Sequence, residues 1–259
     1  MTIGHITLIG GGPGDPELIT VAGYKALLAA DVVLADRLGP TALLADLSDD
    51  VTVIDVGKAP NCHVKTQDEI NELLVKYALD GKHVVRLKGG DPFVLGRGGE
   101  EMHYAAKFGI ATRVIPGITS SISVPAAAGI PVTHRGVATG FTVVSGHTDL
   151  ADVPIRSDHT LAILMGVSNL PKIVETLLTR GLPSSTPIAI VERGYSQTQR
   201  TTIGTLEEIV VRARKAAVAN PAVIVIGDVV RLAPEASDQL VDLLPLENAE
   251  ATVPATIVD

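Results

Sequence analysis

The stretch RLKGGDPFVLGRGGEE, residues 86–101, places charged side chains beside bare backbone, directly after a short apolar run. It contains five glycines together with two arginines, a lysine, an aspartate and two glutamates. A strand that turns into a helix needs a single glycine for the turn, whereas a molecule lying against the backbone needs several positions without a side chain. We therefore predict that this stretch includes a loop that a bound molecule contacts.

Glycine-rich or polar turns follow all five short apolar runs in the first half of the chain. These turns are residues 10–16, 36–37, 57–58, 89–91 and 116–120. In an open parallel sheet the carboxyl ends of the strands share one edge, and ligands bind at that edge. We expect the five turns to meet there in one site.

The first of these turns, in LIGGGPGDPELIT, does not fit the common nucleotide-binding loops. A dinucleotide fingerprint starting at Gly10 and Gly12 requires a third glycine at position 15, where the chain has Asp15. Pro13 and Pro16 also remove backbone N–H groups that would donate to a pyrophosphate. The sequence contains no GxxxxGK[ST] motif, so a P-loop is excluded. A plain tight turn and a site for another kind of ligand remain as alternatives.

Hydrophobic patterning predicts the elements that position these turns. Fully buried strands are predicted at residues 6–9, 32–35, 51–56, 84–87 and 113–115. They alternate with predicted helices at residues 17–30, 66–80 and 99–108. The second of these helices begins with a capping box, TQDE, and ends before Gly81. Strand, helix and strand at this spacing predict a parallel α/β sheet.

The second half predicts another α/β unit. Its predicted strands are residues 141–145, 161–165, 188–191 and 223–226, and its predicted helices are residues 169–179 and 205–216. The last helix opens on a second predicted capping box, TLEE. We divide the chain into an N-terminal α/β domain (1–120), a linker (121–140), a C-terminal α/β domain (141–232) and an acidic tail (233–259) that we expect to be flexible.

Composition argues against several functional classes. The chain has 259 residues and is 46% hydrophobic, which is typical of a folded globular protein. It lacks tryptophan and has a net charge of -8, so it has neither the aromatic side chains nor the overall positive charge typical of a nucleic-acid-binding protein. Residues 114–133 have no ionisable side chain, but three prolines make them a poor membrane span, and we predict a buried loop with a short helix. With one cysteine and no secretory signal, the protein is expected to be cytoplasmic.

Thiol catalysis and metal binding find no support in the residue spacing. Cys62 and His63 are adjacent in sequence, and adjacent residues seldom point at each other. The seven histidines show no HxxxH spacing, and the single cysteine allows no CxxC motif. We predict no metal.

Eight strings, in order along the chain, resemble the tetrapyrrole methylase family, and most closely its members that act on uroporphyrinogen III. They are GGGPGDPELIT, ADRLG, GK, RLKGGDPFVLGRGGEE, VIPGITSS, AGIPVTHR, MGVSNL and TQRTTIGTL. The resemblance implies two α/β domains, with a parallel sheet in the first, a mixed sheet in the second and the active site in the cleft between them, usually in a homodimer. It also implies S-adenosylmethionine as methyl donor and methylation of C2 and C7, which gives precorrin-2 for sirohaem and cobalamin biosynthesis.

The resemblance further implies which residues bind the methyl donor. They are Pro13, Gly89, Gly90, Asp91, Val94, Thr119, Ser120, Met165, Gly194 and Ala222. Glycines allow close backbone approach, while Asp91 and the two hydroxyls can hydrogen-bond polar groups. For Met165, ordinary core packing at a strand end is the alternative.

By the same resemblance, Asp36 and Lys58 are the catalytic residues, Asp36 as the base and Lys58 as the matching proton donor. A methyl group on a sulfonium is already activated, so the protein must mainly align the reactants and manage protons. The alternative is a solvated turn at Asp36 and a surface lysine.

A polycarboxylate substrate needs local positive charge despite the acidic total. Cations in or beside the turns are Arg37, Lys58, Arg86, Lys88, Arg97, Arg135, Arg193 and Arg200. We predict Arg37 and Arg97 as substrate-binding, because guanidinium groups pair with carboxylates through two hydrogen bonds. Any one arginine could instead pair with Glu100 or Glu101 and stabilise the fold.

Two other functions remain open. The chain could be another member of the family, such as a later-acting precorrin methyltransferase or a relative acting on diphthamide precursors or ribosomal RNA, or a non-catalytic protein that binds S-adenosylmethionine. Because the sequence starts at its first strand, we expect no dehydrogenase and chelatase portion of the kind fused in sirohaem synthases, and methylation only.

Overall fold

Two five-stranded sheets, one from each half of the chain, are present in the computed structural model, which describes residues 2–57, 65–148 and 150–236. The first sheet contains β1 (His5–Gly10), β2 (Val32–Ala35), β3 (Thr52–Asp55), β4 (His83–Lys88) and β5 (Ala111–Ile115). Its strand order is β3-β2-β4-β1-β5 and every pairing is parallel. The predicted parallel sheet is confirmed, and the carboxyl ends of its strands lie at one edge.

Helices cover both faces of the first sheet. α1 (Val21–Leu28) packs on one face, where its Leu27 joins a buried apolar cluster with Ile9 and Val33. α2 (Gln67–Leu79) and α3 (Gly98–Ala106) pack on the other face, around side chains such as Leu34. The capping box at the start of α2 is confirmed, since Thr66 and Glu69 each accept a hydrogen bond from the other's backbone N–H.

Two features predicted for the first half are wrong. The helix predicted at 17–30 starts only at Val21, because Asp15 caps a short 3₁₀ turn at Pro16–Leu18 and the chain is extended again before Thr20 caps α1. The strands β3 and β5, predicted to be fully buried, have exposed positions. They are the two edge strands of the sheet, so each lacks a neighbour on one side.

The second sheet is mixed, as predicted. It contains β6 (Gly140–Ser145), β7 (His159–Leu164), β8 (Pro187–Glu192), β9 (Arg200–Thr205) and β10 (Ala222–Ile226) in the order β6-β7-β10-β8-β9. Only β6 and β7 pair in parallel, and the other neighbours are antiparallel. α5 (Leu170–Thr179) and α6 (Ile209–Lys215) cover one face, and α4 (Ser120–Ala127) covers the other.

The segment 200–216 departs from the prediction. β9 was not predicted, and the predicted capping box TLEE is wrong because Thr205 is the last residue of β9 and pairs with Pro187. α6 starts at Ile209, after Glu208, whose side chain makes no capping hydrogen bond. Pairing of β9 with β8 along its whole length outweighs the local helix signal.

The short helix predicted within residues 114–133 is confirmed by α4, which apart from Ser120 lies in the segment predicted as a linker, whereas the loop predicted to be buried has exposed positions at Pro116, Gly129 and Thr133. Val124 of α4 packs with Val223 and Val225 of β10, so the helix is attached to the second sheet. The domain boundaries themselves stay predictions. In the described ranges, no helix is long and apolar enough to cross a membrane.

Candidate functional site

Three loops at the carboxyl edge of the first sheet interlock through glycines. Gly12 and Gly90 exchange backbone hydrogen bonds at 3.1 and 2.6 Å, which joins the loops after β1 and β4. The loop after β5 packs against both of them, since a Cβ on Gly117 would lie 2.4 Å from the carbonyl carbon of Gly10 and 2.4 Å from the carbonyl oxygen of Gly90. Only glycine allows the three backbones to approach so closely.

Asp91 connects two of these loops with its side chain. Its Oδ2 accepts a hydrogen bond from Gly117 N at 3.0 Å, and its Oδ1 accepts one from Phe93 N at 2.8 Å. Each carboxylate oxygen keeps a further lone pair, so Asp91 can still accept from a ligand. The predicted cofactor residues Gly89, Gly90 and Asp91 therefore lie on one rigid turn.

Thr119 and Ser120 lie at the start of α4, next to this turn. Thr119 caps the helix, with its Oγ1 accepting from Ser121 N at 3.4 Å, and Ser120 is the first helical residue. A Cβ on Gly90 would lie 3.8 Å from both Thr119 Cα and Ser120 N. The structure thus brings the predicted residues of the fourth and fifth strand-end loops together.

α4 links this edge to the second sheet. A Cβ on Gly194, in the turn after β8, would lie 2.8 Å from Cγ1 of Val124, so the turn packs tightly on the helix. Gln199 Nε2 also donates to Ala127 O at 3.0 Å. The second sheet is therefore held with one edge near the loops of the first.

The predicted residues of the second domain converge at that edge of the second sheet. Met165 follows β7, Gly194 follows β8, and Ala222 is the first residue of β10. Because β10 runs antiparallel to both β7 and β8, its start lies beside their ends: Val223 pairs with Leu164, and Ala222 pairs with Glu192. Met165 has a φ of +57° and is 43% exposed, which does not support the alternative of core packing. A non-glycine residue held in this left-handed conformation costs of order 1–3 kcal/mol, and such residues cluster at functional sites.

Arg193 and Tyr195 share this conformation, with φ values of +49° and +64° on either side of Gly194. Sequence reasoning did not single out Tyr195. The turns after β7 and β8 therefore both contain left-handed residues other than glycine, which makes them candidates for a functional site.

Asp36, the predicted base, is held by a buried arginine. Arg86 Nη2 donates to its Oδ1 at 2.6 Å, and the Asp36 side chain is 28% exposed. Arg86 and Lys88 both contact Glu101, and all three side chains are almost inaccessible. The suggestion that Arg86 and Lys88 supply charge to a substrate is therefore wrong, and the alternative of pairing with Glu101 is confirmed for Arg86.

The two arginines predicted to bind substrate are exposed and paired in the free protein. Arg37 donates to Asp55 Oδ2 from Nε at 3.0 Å and from Nη2 at 2.9 Å. Arg97 donates to the two oxygens of Glu100 at 2.9 and 2.7 Å, and this bonding lowers the pKa of Glu100. Exposed pairs are weak because water screens them, so either guanidinium can exchange its partner for a substrate carboxylate.

The remaining predicted residues are less informative. Pro13 and Val94 are half-buried in loops at the same edge. Lys58 and the Cys62–His63 pair lie outside the described residues. Across residues 2–57, 65–148 and 150–236, no group of three or more potential metal ligands comes together.

These features describe an α/β protein with one parallel and one mixed sheet, in which the strand-end loops of the first sheet lie near an edge of the second and form a candidate small-molecule site. The Tetrapyrrole (Corrin/Porphyrin) Methylases family matches residues 5–210 of the chain. The chain therefore belongs to the tetrapyrrole methylase family, as the eight strings predicted.

Individual relatives match nearly the whole chain. It is 50% identical over 236 residues to the uroporphyrinogen-III C-methyltransferase of Methanocaldococcus jannaschii, covering 88% of this chain and 98% of that protein. It is 48% identical over 235 residues to the enzyme of the same name from Priestia megaterium, covering 88% and 99%. A similar solved structure is that of uroporphyrin-III C-methyl transferase from Thermus thermophilus in complex with S-adenyl homocysteine. Its TM-score to this structure is 0.76 and its sequence identity is 41%, and the match covers 88% of this chain and 100% of that chain.

Proposed function

We propose that the protein transfers methyl groups from S-adenosylmethionine to C2 and C7 of uroporphyrinogen III, giving precorrin-2 and S-adenosylhomocysteine. The observation that carries this proposal is the likeness, along almost the whole length, to uroporphyrinogen-III C-methyltransferases. The product would supply sirohaem and cobalamin biosynthesis.

The interlocked loops fit the methyl donor. Gly90 has a φ of +65°, a conformation that favours glycine, and the site of its missing Cβ lies 3.8 Å from Thr119 Cα and Ser120 N, so its backbone directly adjoins the two proposed donor-binding residues. Met165, in the turn after β7, offers exposed apolar surface at the edge of the second sheet. The residues proposed to bind the donor are Pro13, Gly89, Gly90, Asp91, Val94, Thr119, Ser120, Met165, Gly194 and Ala222. The donor supplies a methyl group already activated on a positively charged sulfur.

Asp36 acts as the base in the proposed reaction. A pyrrole carbon forms the new C–C bond as the C–S bond breaks, and the macrocycle must then lose a proton. Asp36 is partly exposed at the carboxyl edge, and Arg86 fixes its orientation. Lys58 follows the neighbouring strand β3 in sequence, and we propose it as the matching proton donor.

Arg37 and Arg97 would bind carboxylates of the macrocycle. Replacing Arg97 with Gln is expected to raise the KM for uroporphyrinogen III about tenfold or more, since a hydrogen bond to a charged group is worth about 1.5–3 kcal/mol. The Kd for S-adenosylhomocysteine should not change. Arg156→Gln is the matched control, because Arg156 forms a similar exposed two-bond pair with Asp158.

The test of the function is incubation of the purified chain with uroporphyrinogen III and S-adenosylmethionine carrying a labelled methyl group. Transfer of two methyl groups supports the proposal. Transfer only to a later tetrapyrrole would indicate another member of the family, and binding of S-adenosylhomocysteine without transfer to any tetrapyrrole would indicate a binding protein. Asp36→Asn is expected to keep the binding and to retain only a slow residual rate of transfer.

Other features of the proposal rest on indirect support. A homodimer is consistent with exposed large apolar side chains such as Phe93, Leu95 and Ile122, and sedimentation of the purified chain tests it. A reducing cytoplasm suits a chain with one cysteine. The reaction as written requires no metal, and metal analysis of the active protein checks this.

A further inference from the structure

Four charged side chains meet beneath the carboxyl edge of the first sheet. Oε1 of Glu101 accepts from Arg86 Nε at 3.1 Å and from Lys88 Nζ at 3.0 Å, while Arg86 Nη2 donates to Asp36 Oδ1 at 2.6 Å. The side chains of Glu101, Arg86 and Lys88 are 0%, 3% and 5% exposed, and that of Asp36 is 28% exposed. The cluster therefore runs from a buried carboxylate on α3 to the predicted base.

The charges of this cluster balance only when both carboxylates are ionised. Burial, and then the charge of Arg86, lower the pKa of Lys88, whereas Glu101 and Asp36 oppose this change. Taking the charges of Arg86, Lys88 and Glu101 out of water is costly, and well-packed apolar residues would often stabilise such positions at least as well. The cluster therefore points to a role other than stability.

Each nitrogen of the Arg86 guanidinium donates a hydrogen bond, and the bond to Glu101 sets the orientation of the group. Arg86 Nη1 donates to Leu34 O at 3.3 Å and to Leu87 O at 3.1 Å. The bond from Nε to Glu101 sets the plane of the guanidinium, and Nη2 then points at Asp36. Gln67, on α2, donates to the same oxygen of Glu101 at 3.3 Å and so attaches the carboxylate to a second helix.

All described hydrogen bonds to the Glu101 side chain use one oxygen. Its Oε2 is buried and has no partner within the part of the chain that the structure describes. The two cations and Gln67 therefore determine the orientation of the Glu101 carboxylate. If Glu101 lost its charge, Arg86 and Lys88 would repel each other, and Asp36 would be their remaining partner in the cluster.

We propose that Glu101 is a positioning residue for the methyl transfer. By fixing the guanidinium of Arg86, it sets the orientation in which Asp36 accepts the proton. This inference rests on the proposed function, in which Asp36 is the base, and it assigns a task to the second glutamate of GRGGEE.

The test compares Glu101→Gln in two backgrounds, the natural chain and Asp36→Asn. In the natural background, Glu101→Gln should lower kcat on the order of a hundredfold, as expected when a catalytic group is misplaced by about 1 Å. The Kd for S-adenosylhomocysteine should stay the same. In the Asp36→Asn background, Glu101→Gln should lower the residual single-turnover rate no further, whereas it should lower the Tm at least as much as in the natural background, because Arg86 and Lys88 would then have no carboxylate in the cluster.

Controls separate positioning from stability. Glu208→Gln, which removes the charge of an exposed glutamate paired with Arg212, should leave kcat unchanged. Should Glu101→Gln fail to fold, Arg86→Lys provides the same test, because an ammonium cannot contact Glu101 and Asp36 with two fixed N–H groups. An equal loss of kcat in both backgrounds, or no loss in the natural one, would overturn the inference.

A second readout does not depend on activity. A crystal structure of Glu101→Gln should show the Asp36 carboxylate rotated away from Arg86, and an unchanged contact would overturn the inference even if the variant were inactive. If the natural chain methylates no tetrapyrrole, the proposed function fails, and this structural readout still decides whether Glu101 orients Asp36.

Discussion

Replacing Gly117 with alanine should force apart the three interlocked loops. The new Cβ would lie 2.4 Å from the Gly10 carbonyl carbon and 2.4 Å from the Gly90 carbonyl oxygen, so the backbone has to move by about an ångström. Overpacking of this kind costs about 1–3 kcal/mol. Loss of the hydrogen bond from Gly117 N to Asp91 adds about 1.5–3 kcal/mol, because the acceptor is charged.

The total, about 2.5–6 kcal/mol, should lower the Tm by roughly 5–24 °C in a chain of this size. Since the same loops carry Gly90 and Asp91, the Kd for S-adenosylhomocysteine should rise at least about tenfold, which corresponds to losing about 1.4 kcal/mol of binding. Calorimetric unfolding measures the first effect, and titration calorimetry at a temperature where the variant is folded measures the second.

The control for this experiment is Gly99→Ala, which adds the same methyl group to α3. No atom lies within 4 Å of the position of that Cβ, and alanine favours the helix by up to about 1 kcal/mol. The Tm of this variant should stay the same or rise. If Gly117→Ala kept the natural Tm and affinity, the idea that bare backbone holds the loops together would be refuted.

Three further predictions concern stability. Partial loss of hydration and the stacked neighbour His83 lower the pKa of His5, so the folded state disfavours its protonation. Stability should therefore be full above about pH 6.5 and fall slightly as the pH drops below it, because this histidine is largely exposed. Urea unfolding should show this trend, and His5→Gln should flatten it. Glu192→Gln should destabilise the protein by about 1.5–3 kcal/mol in chemical denaturation, because this fully buried carboxylate accepts from Arg200 at 2.6 Å; an unchanged midpoint would contradict that role. Gly194→Ala should cost about 1–3 kcal/mol through its contact with Val124, and Val124→Ala in the same chain should recover part of the loss; additive losses would argue against that contact.

The sequence was sufficient to predict the five parallel strands of the first sheet, though not which of them lie at its edges, because the signals for the strands are local. Apolar runs followed by Gly, Asp or Pro-Gly mark the strands and their turns, and a single parallel sheet then places the turns at one edge. The same kind of local signal led to a wrong prediction at β9, because the TLEE sequence at its end is typical of the start of a helix. Its pairing with β8 depends on residues outside the segment, and no local pattern contains that information.

The burial of Arg86 and Lys88 could have been predicted in part. They lie two apart in β4, so their side chains share the face occupied by Val84, which packs against α2 and α3. The sequence could not predict that Glu101 is the partner of Arg86 and Lys88, because Glu101 contacts them only when α3 packs on the sheet. The contact of Gly10 with Gly117 was equally unpredictable, since it depends on two loops that are distant in sequence.

The position of α4 has a consequence for any attempt to cut the protein into halves. A fragment ending at residue 120 would keep Thr119 but lose the helix that it caps, and one starting at residue 141 would leave the apolar side of Val191, Val223 and Val225 without its cover. Neither piece should behave as an autonomous module. Recombining one half with that of a relative would succeed only if the crossover kept α4 together with the strands on which it rests.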